Sequence, residues 1–205
     1  MASKNYETGI ATRKLILARS RELFLEKGYR STSFDDICRA AHVNRGSVYY
    51  HFKSKETIRY EVLWEIFTEY KKEAERFIAS PPYQYLFALY LMWDQILHNP
   101  QTGRFLADYY TDYPVYTPNG DLALFISMIY RNGLAPLENT SEPEEFQMIS
   151  VYGYLGSIVQ LVKACPQKYS TKELFLNAML SCCRLFAFSP EQSQLLIDTL
   201  ESYID

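Results

Sequence analysis

The sequence predicts an all-α protein. Apolar residues recur at helical spacing along most of the 205 residues, broken at helix-length intervals by Pro, Gly and capping residues. No alternating apolar–polar run bounded by turn pairs marks a strand, and no segment repeats. An apolar content of 48% is ample for a packed core.

The first helix is expected over residues 8–27, where Ile10, Leu17, Leu23 and Phe24 share a side, with Gly28 as its natural stop. Ser33 with Asp36 fits a capping box for a second helix, whose inner side is Ile37, Cys38, Ala40 and Ala41. A turn at Ala41-His42-Val43 follows, and Asn44 caps a short third helix ending at His51 and Phe52. Ser54 caps a fourth. Residues 55–79 hold no Gly or Pro, so one long helix is expected there, with Ile58, Val62, Trp64 or Glu65, Ile66 and Tyr70 marking its buried stripe. Pro81-Pro82 end it. Further helices are expected over residues 83–98, 101–112, 119–132, 143–164, 171–187 and 190–203. The breaks between them are Asn99-Pro100, 114–118, 133–136, Pro166-Gln167 and Ser189-Pro190. Ser189 as cap, Pro190 at the first position and Gln192 closing a capping box make the last start a strong one.

The net charge of −3 conceals an asymmetry. Residues 1–60 hold twelve Lys and Arg against six Asp and Glu, and residues 61–205 hold nine against eighteen. A basic end on an acidic body suits a polyanionic partner. The short third helix lies in that basic end, and its residue types suit the major groove of double-stranded DNA, where the N-terminal residues of an inserted helix approach base edges. Arg45 can donate two hydrogen bonds to guanine. Gly46 permits close backbone approach, and Ser47 can bond a base or a phosphate. Tyr49, Tyr50 and His51 combine polar tips for phosphate with apolar bodies for sugar or a thymine methyl, although one of the adjacent tyrosines is equally suited to the core. Lys53 and Lys55 flank the start of the fourth helix, whose amides favour phosphate.

The stretch Val43-Asn44-Arg45-Gly46-Ser47-Val48-Tyr49-Tyr50-His51-Phe52-Lys53-Ser54-Lys55-Glu56 closely resembles the signature of TetR-family transcriptional regulators. Ile16-Leu17, Leu23-Phe24, Gly28-Tyr29, Thr32-Ser33 and Asp36-Ile37 fall where that family has its equivalents. Asn44 stands where the family often has Ser, and Ser20 where it often has Ala. The resemblance implies DNA contacts from Thr32 or Ser33, from Arg45, Gly46, Ser47, Tyr49, Tyr50 and His51, and from Lys55; Asn44 and Lys53 complete the candidate set. It also implies a homodimer on a palindromic operator, with a larger C-terminal domain that binds a small-molecule effector and forms the dimer. The expected domains are therefore 1–54, a helix-turn-helix DNA-binding domain, and 55–205, with helix 55–79 as the stiff link between them.

Beyond residue 62 the resemblance assigns no residues. Residues 146–165 are apolar nearly all round, as is the run 174–188, so both helices are expected to be buried on every side. A four-helix contact between two copies is one way to bury them, with Ile149, Tyr152, Gly153, Gly156, Val159, Met179, Cys183 and Phe186 at the interface; complete burial inside one subunit is the other. Of the chain's eighteen Tyr, the ten from Tyr83 to Tyr154 cluster with Trp and Phe in the C-terminal part, which suits a cavity for a hydrophobic or aromatic ligand. Candidates to line it are Trp64, Tyr90, Trp93, Tyr109, Tyr113 and Tyr152. Asp94 and Arg131 are candidates for a charged ligand group, against the plainer reading that both sit at the surface.

No nucleophile elbow, phosphate loop or dinucleotide fingerprint is present, so no enzyme and no cofactor are expected. Cys38, Cys165, Cys182 and Cys183 lack CxxC spacing, and His42, His51 and His98 form no ligand pattern, so no metal is expected and Cys182 and Cys183 read as buried thiols. The first residues are polar, and the longest apolar run, 85–93, is far short of the ~18 residues of a membrane span. A cytoplasmic location without membrane contact is expected. The whole reads as a ligand-responsive, homodimeric DNA-binding regulator, a repressor released from its operator by a small hydrophobic or aromatic molecule. The alternative is a DNA-binding regulator controlled by a protein partner.

Overall fold

The structure, a computed structural model, describes residues 2–112, 144–165, 167–185 and 188–204. Among them all regular structure is helical: α1 (Ala2–Glu26), α2 (Phe34–Ala41), α3 (Arg45–His51), α4 (Lys55–Ala74), α5 (Pro81–His98), α6 (Pro100–Asp112), α7 (Glu144–Ala164), α8 (Thr171–Leu185) and α9 (Pro190–Ile204). The helix expected over 119–132 and the breaks at 114–118 and 133–136 lie outside the described residues. No described helix is long and apolar enough to cross a membrane. The chain divides into two compact units, Met1–Ile66 and Phe67–Asp205.

In the first unit α2 and α3 are short helices that would not persist alone. Their ends are fastened instead. Gly28, at φ 92°, stops α1 in the left-handed region. The Ser33 hydroxyl accepts from Asp36 N–H at 3.1 Å while Asp36 Oδ2 accepts from Ser33 N–H at 2.9 Å, the reciprocal box that starts α2. Asn44 Oδ1 accepts from Ser47 N–H at 2.8 Å and starts α3, and Ser54 Oγ accepts from Thr57 N–H at 3.1 Å. Ile16, Phe24, Ile37, Val48, Phe52, Ile58 and Val62 form the core, each without solvent exposure. An Arg13–Glu61 ion pair ties α1 to α4, and the Arg13 guanidinium lies over the Phe52 ring.

In the second unit α4 ends at Ala74, five residues before the expected end, although nothing in the intervening sequence breaks a helix. The chain tightens through Arg76 N–H to Glu73 O (3.1 Å) and Phe77 N–H to Ala74 O (3.2 Å), which carries Ile78 into a cluster with Ala74 and Phe87. Burying Ile78 outweighs another exposed helical turn. The long hydrophobic helix α8 lies against α5, α7 and α9. It buries Leu174, Phe175, Ala178, Met179, Cys182 and Cys183, so the adjacent thiols are core groups, and burial pushes the Cys183 thiol up.

The joint between α5 and α6 is a single residue. Asn99 N–H caps α5 by donating to Gln95 O at 3.0 Å, and its side-chain oxygen caps α6 by accepting from Gln101 N–H (3.1 Å) and Thr102 N–H (2.9 Å). So short a joint presses the two backbones together at Gly103, where an added Cβ would sit 2.2 Å from Gln95 O. Backbone cannot yield as a side chain does. Gly103→Ala is therefore expected to lower the second unit's unfolding midpoint in differential scanning calorimetry by the equivalent of ~1–3 kcal/mol; an unchanged midpoint would show that the crossing relaxes freely.

Candidate nucleic-acid interface

The helix-turn-helix is α2, a tight turn and α3. His42 makes the turn by adopting φ 53°, ψ 41°, the one non-Gly residue at positive φ among those described. Its N–H reaches Arg39 O at 3.3 Å and Val43 N–H reaches Cys38 O at 3.0 Å, closing α2. A left-handed conformation costs an ordinary L-residue roughly 1–2 kcal/mol. His42→Gly is expected to raise the first unit's thermal midpoint, and His42→Val to lower it, both followed by circular dichroism; the reverse order would remove backbone strain from this turn.

Val48 and Phe52, both fully buried, anchor α3 and fix which side faces out. The outward side presents Arg45, Gly46, Tyr49 and Tyr50, all exposed, with Ser47 and His51 half-buried at its edges. Neither tyrosine is core: Tyr49 is 44% and Tyr50 79% exposed. Tyr49 stacks on Phe34 of α2 at 4.8 Å, which sets its direction, and Tyr50 meets the His51 ring edge-on at 4.9 Å. Arg45 Nε lies 3.6 Å from Asp35 Oδ1, an exposed pair that holds the guanidinium near α2. Gly46 is open except for Asn44 Oδ1, 3.3 Å from an added Cβ, so its outer side is clear for an approaching partner. Ser33 and Lys53 are exposed, and Asn44 is exposed with its side chain used as a cap. Bonds from the Ser33 N–H and hydroxyl, then the Lys27 and Arg39 cations, hold the Asp36 carboxyl well below the usual carboxylate range.

Two expected contacts are placed otherwise. Thr32 is 1% exposed and its hydroxyl donates to Gly28 O at 2.9 Å, so the side chain is an internal brace and not a surface group. Lys55 Nζ donates to Tyr29 O (3.1 Å) and Thr32 O (2.9 Å) and lies 4.2 Å over the Tyr29 ring. Its ammonium closes the α1–α2 turn onto α4. Tyr29 is the hub of this arrangement. It carries the buried Arg59 guanidinium at 4.1 Å, meets Phe24 edge-on at 5.2 Å, and donates its hydroxyl to Glu56 Oε1 at 3.0 Å. Burial pushes the Glu56 carboxyl up, but the bonds from its own amide, Tyr29 and Ser54 outweigh that and hold it low. The sequence reading missed Tyr29 as hub, Asp35 as partner of Arg45 and His42 as pivot; only Asp35, a carboxylate at the start of α2, left a visible signal.

Residues 16–62 match the model of the family described as bacterial regulatory proteins, tetR family. The match spans the helix-turn-helix segment, less than a quarter of the chain. The HTH-type transcriptional regulator AcrR of Shigella flexneri is 41% identical over 66 residues, which cover 32% of this chain and 30% of that protein. The uncharacterized HTH-type transcriptional regulator YuxN of Bacillus subtilis (strain 168) is 24% identical over 205 residues, 94% of this chain and 61% of that protein. The chain thus spans less than two thirds of the length of these curated relatives. Among solved structures, RolR in complex with resorcinol aligns over 94% of this chain and 95% of its own with a TM-score of 0.60 at 15% identity, which extends the likeness in fold to the second unit.

The C-terminal residues lie outside the matched segment and stand on their own geometry. Trp64, half-buried, belongs to the first unit. In the second, Trp93 is 4% and Tyr109 2% exposed; Tyr90 and Trp93 both meet Phe175 edge-on, at 5.5 and 5.9 Å. Trp93 Nε1 finds no acceptor among the described residues. Asp94 is half-buried and engaged: its Oδ1 accepts from Thr171 Oγ1 (2.7 Å) and His98 Nδ1 (2.9 Å), which fastens the start of α8 to α5. Tyr113 and Arg131, and the side chains of Tyr152 and Phe186, lie outside the described residues. Of the residues expected between two copies, Val159, Met179 and Cys183 are 3%, 0% and 0% exposed within one chain. They are core of a single subunit: Met179 and Cys183 lie on α8, which has α5, α7 and α9 around it, and Val159 lies on α7, which packs against α6 and α8. Ile149 is 47% exposed, Gly153 is exposed with open space beside it, and Gly156 is half-buried.

Proposed function

We propose that this chain is a homodimeric repressor that binds a palindromic DNA operator through α3 and leaves it when a small aromatic or hydrophobic effector enters the second unit. The observation that carries the DNA reading is the outward side of α3. Arg45, Gly46, Tyr49 and Tyr50 face solvent together because Val48 and Phe52 are buried behind them. Tyr50, 79% exposed, is not held there by the core, and Tyr49 keeps 44% of its surface open beyond its stack on Phe34. A basic N-terminal third adds the charge that phosphate binding uses.

The effector reading is supported by the aromatic group Tyr90, Trp93 and Phe175, where the buried indole N–H of Trp93 suits an oxygen acceptor on an aromatic ring. Resorcinol, the ligand in the RolR structure, is a fitting first probe. For the dimer, the exposed side of α7 with Ile149, Gly153 and Leu161 is the surface that supports the reading.

The deciding experiment is selection of duplexes from a random library with the purified chain, followed by fluorescence anisotropy on the enriched sequence at several salt concentrations. An inverted repeat with half-sites about one helical turn apart is expected, with affinity falling steeply as salt rises. No enriched sequence, or affinity insensitive to salt, would sink the reading.

A further inference from the structure

The start of α2 meets the outward side of α3 through two side-chain contacts, Phe34 with Tyr49 and Asp35 with Arg45. Both backbones are fixed before any DNA arrives. Ser33 and Asp36 close the box that starts α2, and Ile37, without solvent exposure, pins its inner side. Val48 and Phe52 do the same behind α3. Phe34, the first residue of α2, is half-buried, and its ring stacks on Tyr49 with centroids 4.8 Å apart and planes 19° from parallel. Favourable aromatic pairs lie at about 4.5–7 Å between centroids, so this contact is an attractive one. It covers one face of the Tyr49 ring and leaves 44% of the residue open. Tyr50 is placed differently: it is 79% exposed, and its ring meets that of its own chain neighbour, His51.

We propose that Phe34 is a positioning residue for operator selection, which acts without contacting a base by holding the Tyr49 ring in the orientation that meets one. The inference rests on the DNA reading above. On a fixed backbone the Tyr49 side chain still has staggered χ1 wells to choose from. An exposed ring without a platform samples them and must be ordered at binding, at a cost of roughly threefold to tenfold in affinity. A ring stacked on Phe34 has lost that freedom on folding, so the cost does not recur when DNA binds. A hydroxyl can reach a phosphate from several orientations, whereas a base edge demands one, so a preset ring is of most use for base contact. Phe34 is followed by Asp35, whose carboxylate lies 3.6 Å from Arg45 Nε, so consecutive residues of α2 orient two outward groups of α3. Selectivity is then written partly in α2.

The test is a double-variant cycle on the whole purified chain. Binding is read by anisotropy on the duplex that the parent chain enriches and on its single-base-pair variants, at a temperature where circular dichroism shows every variant folded. Phe34→Leu keeps apolar bulk and removes the flat ring. It is expected to weaken operator binding about three- to tenfold for each half-site and to flatten preference at the same base position that Tyr49→Ala flattens. Phe34→Tyr keeps the stack and is expected to retain the parent profile. In a Tyr49→Ala background Phe34→Leu is expected to have no further effect, whereas its loss and that of Tyr50→Ala should multiply. A loss from Phe34→Leu that persists undiminished in Tyr49→Ala would make Phe34 a DNA contact or a plain packing residue and overturn the proposal. No enriched duplex for the parent chain would remove the DNA reading and this inference together. An enriched duplex whose base profile Phe34→Leu leaves intact would remove this inference alone.

Discussion

Tyr29→Ala is expected to unfold the DNA-reading unit at temperatures where the parent chain is folded. The ring is 6% exposed, and removing a buried aromatic costs ~3–5 kcal/mol. Three further losses act in the same direction. Phe24 loses its edge contact, Lys55 and Arg59 lose the ring beneath their cations, and Glu56 loses a hydroxyl donor. The Arg59 loss is the most damaging, because its side chain is 1% exposed and a buried guanidinium depends on the groups that surround it. Tyr29→Phe separates these effects. It keeps the ring and both cation contacts and removes only the bond to Glu56, so a loss of ~1–2 kcal/mol is expected. The measurement is thermal unfolding by circular dichroism, with DNA binding followed in parallel. Retention of the parent midpoint in Tyr29→Ala would show that α4 is held to the α1–α2 turn by other contacts.

Much of the first unit was legible because its instructions are local. Ser33, Asp36, Asn44 and Ser54 are caps that work through bonds to residues three positions on, and such spacing is visible in a sequence. Tyr29 was not legible. Its partners lie 26 to 30 positions away on α4, and only the folded chain brings them to one ring. Thr32 and Lys55 were read as outward groups for the same reason: short polar and long cationic side chains are usually solvated, and their inward placement depends on carbonyls that the turn happens to expose. In the second unit, helices with apolar residues on every side left the choice between core and interface open. The answer for Val159, Met179 and Cys183 is set by which helices surround α7 and α8, a property of topology and not of any helix's own sequence. Gly103 shows the opposite case, in which an unremarked glycine in an Asn-Pro-x-x-Gly run fixes how two helices cross.

Arg45→Ala is expected to cost ~1–3 kcal/mol for each half-site, or ~2–6 kcal/mol on a two-fold operator, and to flatten preference at one base position in each half. The size follows from geometry: Arg45 is the first residue of α3, 60% exposed at its side chain, and the only cation on the outward side between Asn44 and His51. The Asp35 carboxylate 3.6 Å away sharpens the test. In the free chain it competes with any phosphate or base for the guanidinium, so indiscriminate binding is weakened while a bidentate base contact can still displace it. Asp35→Asn should therefore tighten binding to arbitrary duplex more than to the operator and narrow the ratio between them, whereas Arg45→Ala should weaken the operator more than arbitrary duplex. Both variants leave Val48 and Phe52 in place, so the thermal midpoint should hold within a few degrees. Anisotropy titrations on operator and scrambled duplex at one salt concentration distinguish the outcomes. Equal weakening on both duplexes by Arg45→Ala would reduce Arg45 to a phosphate contact. An unchanged ratio in Asp35→Asn would mean that the carboxylate plays no part in selecting what α3 binds.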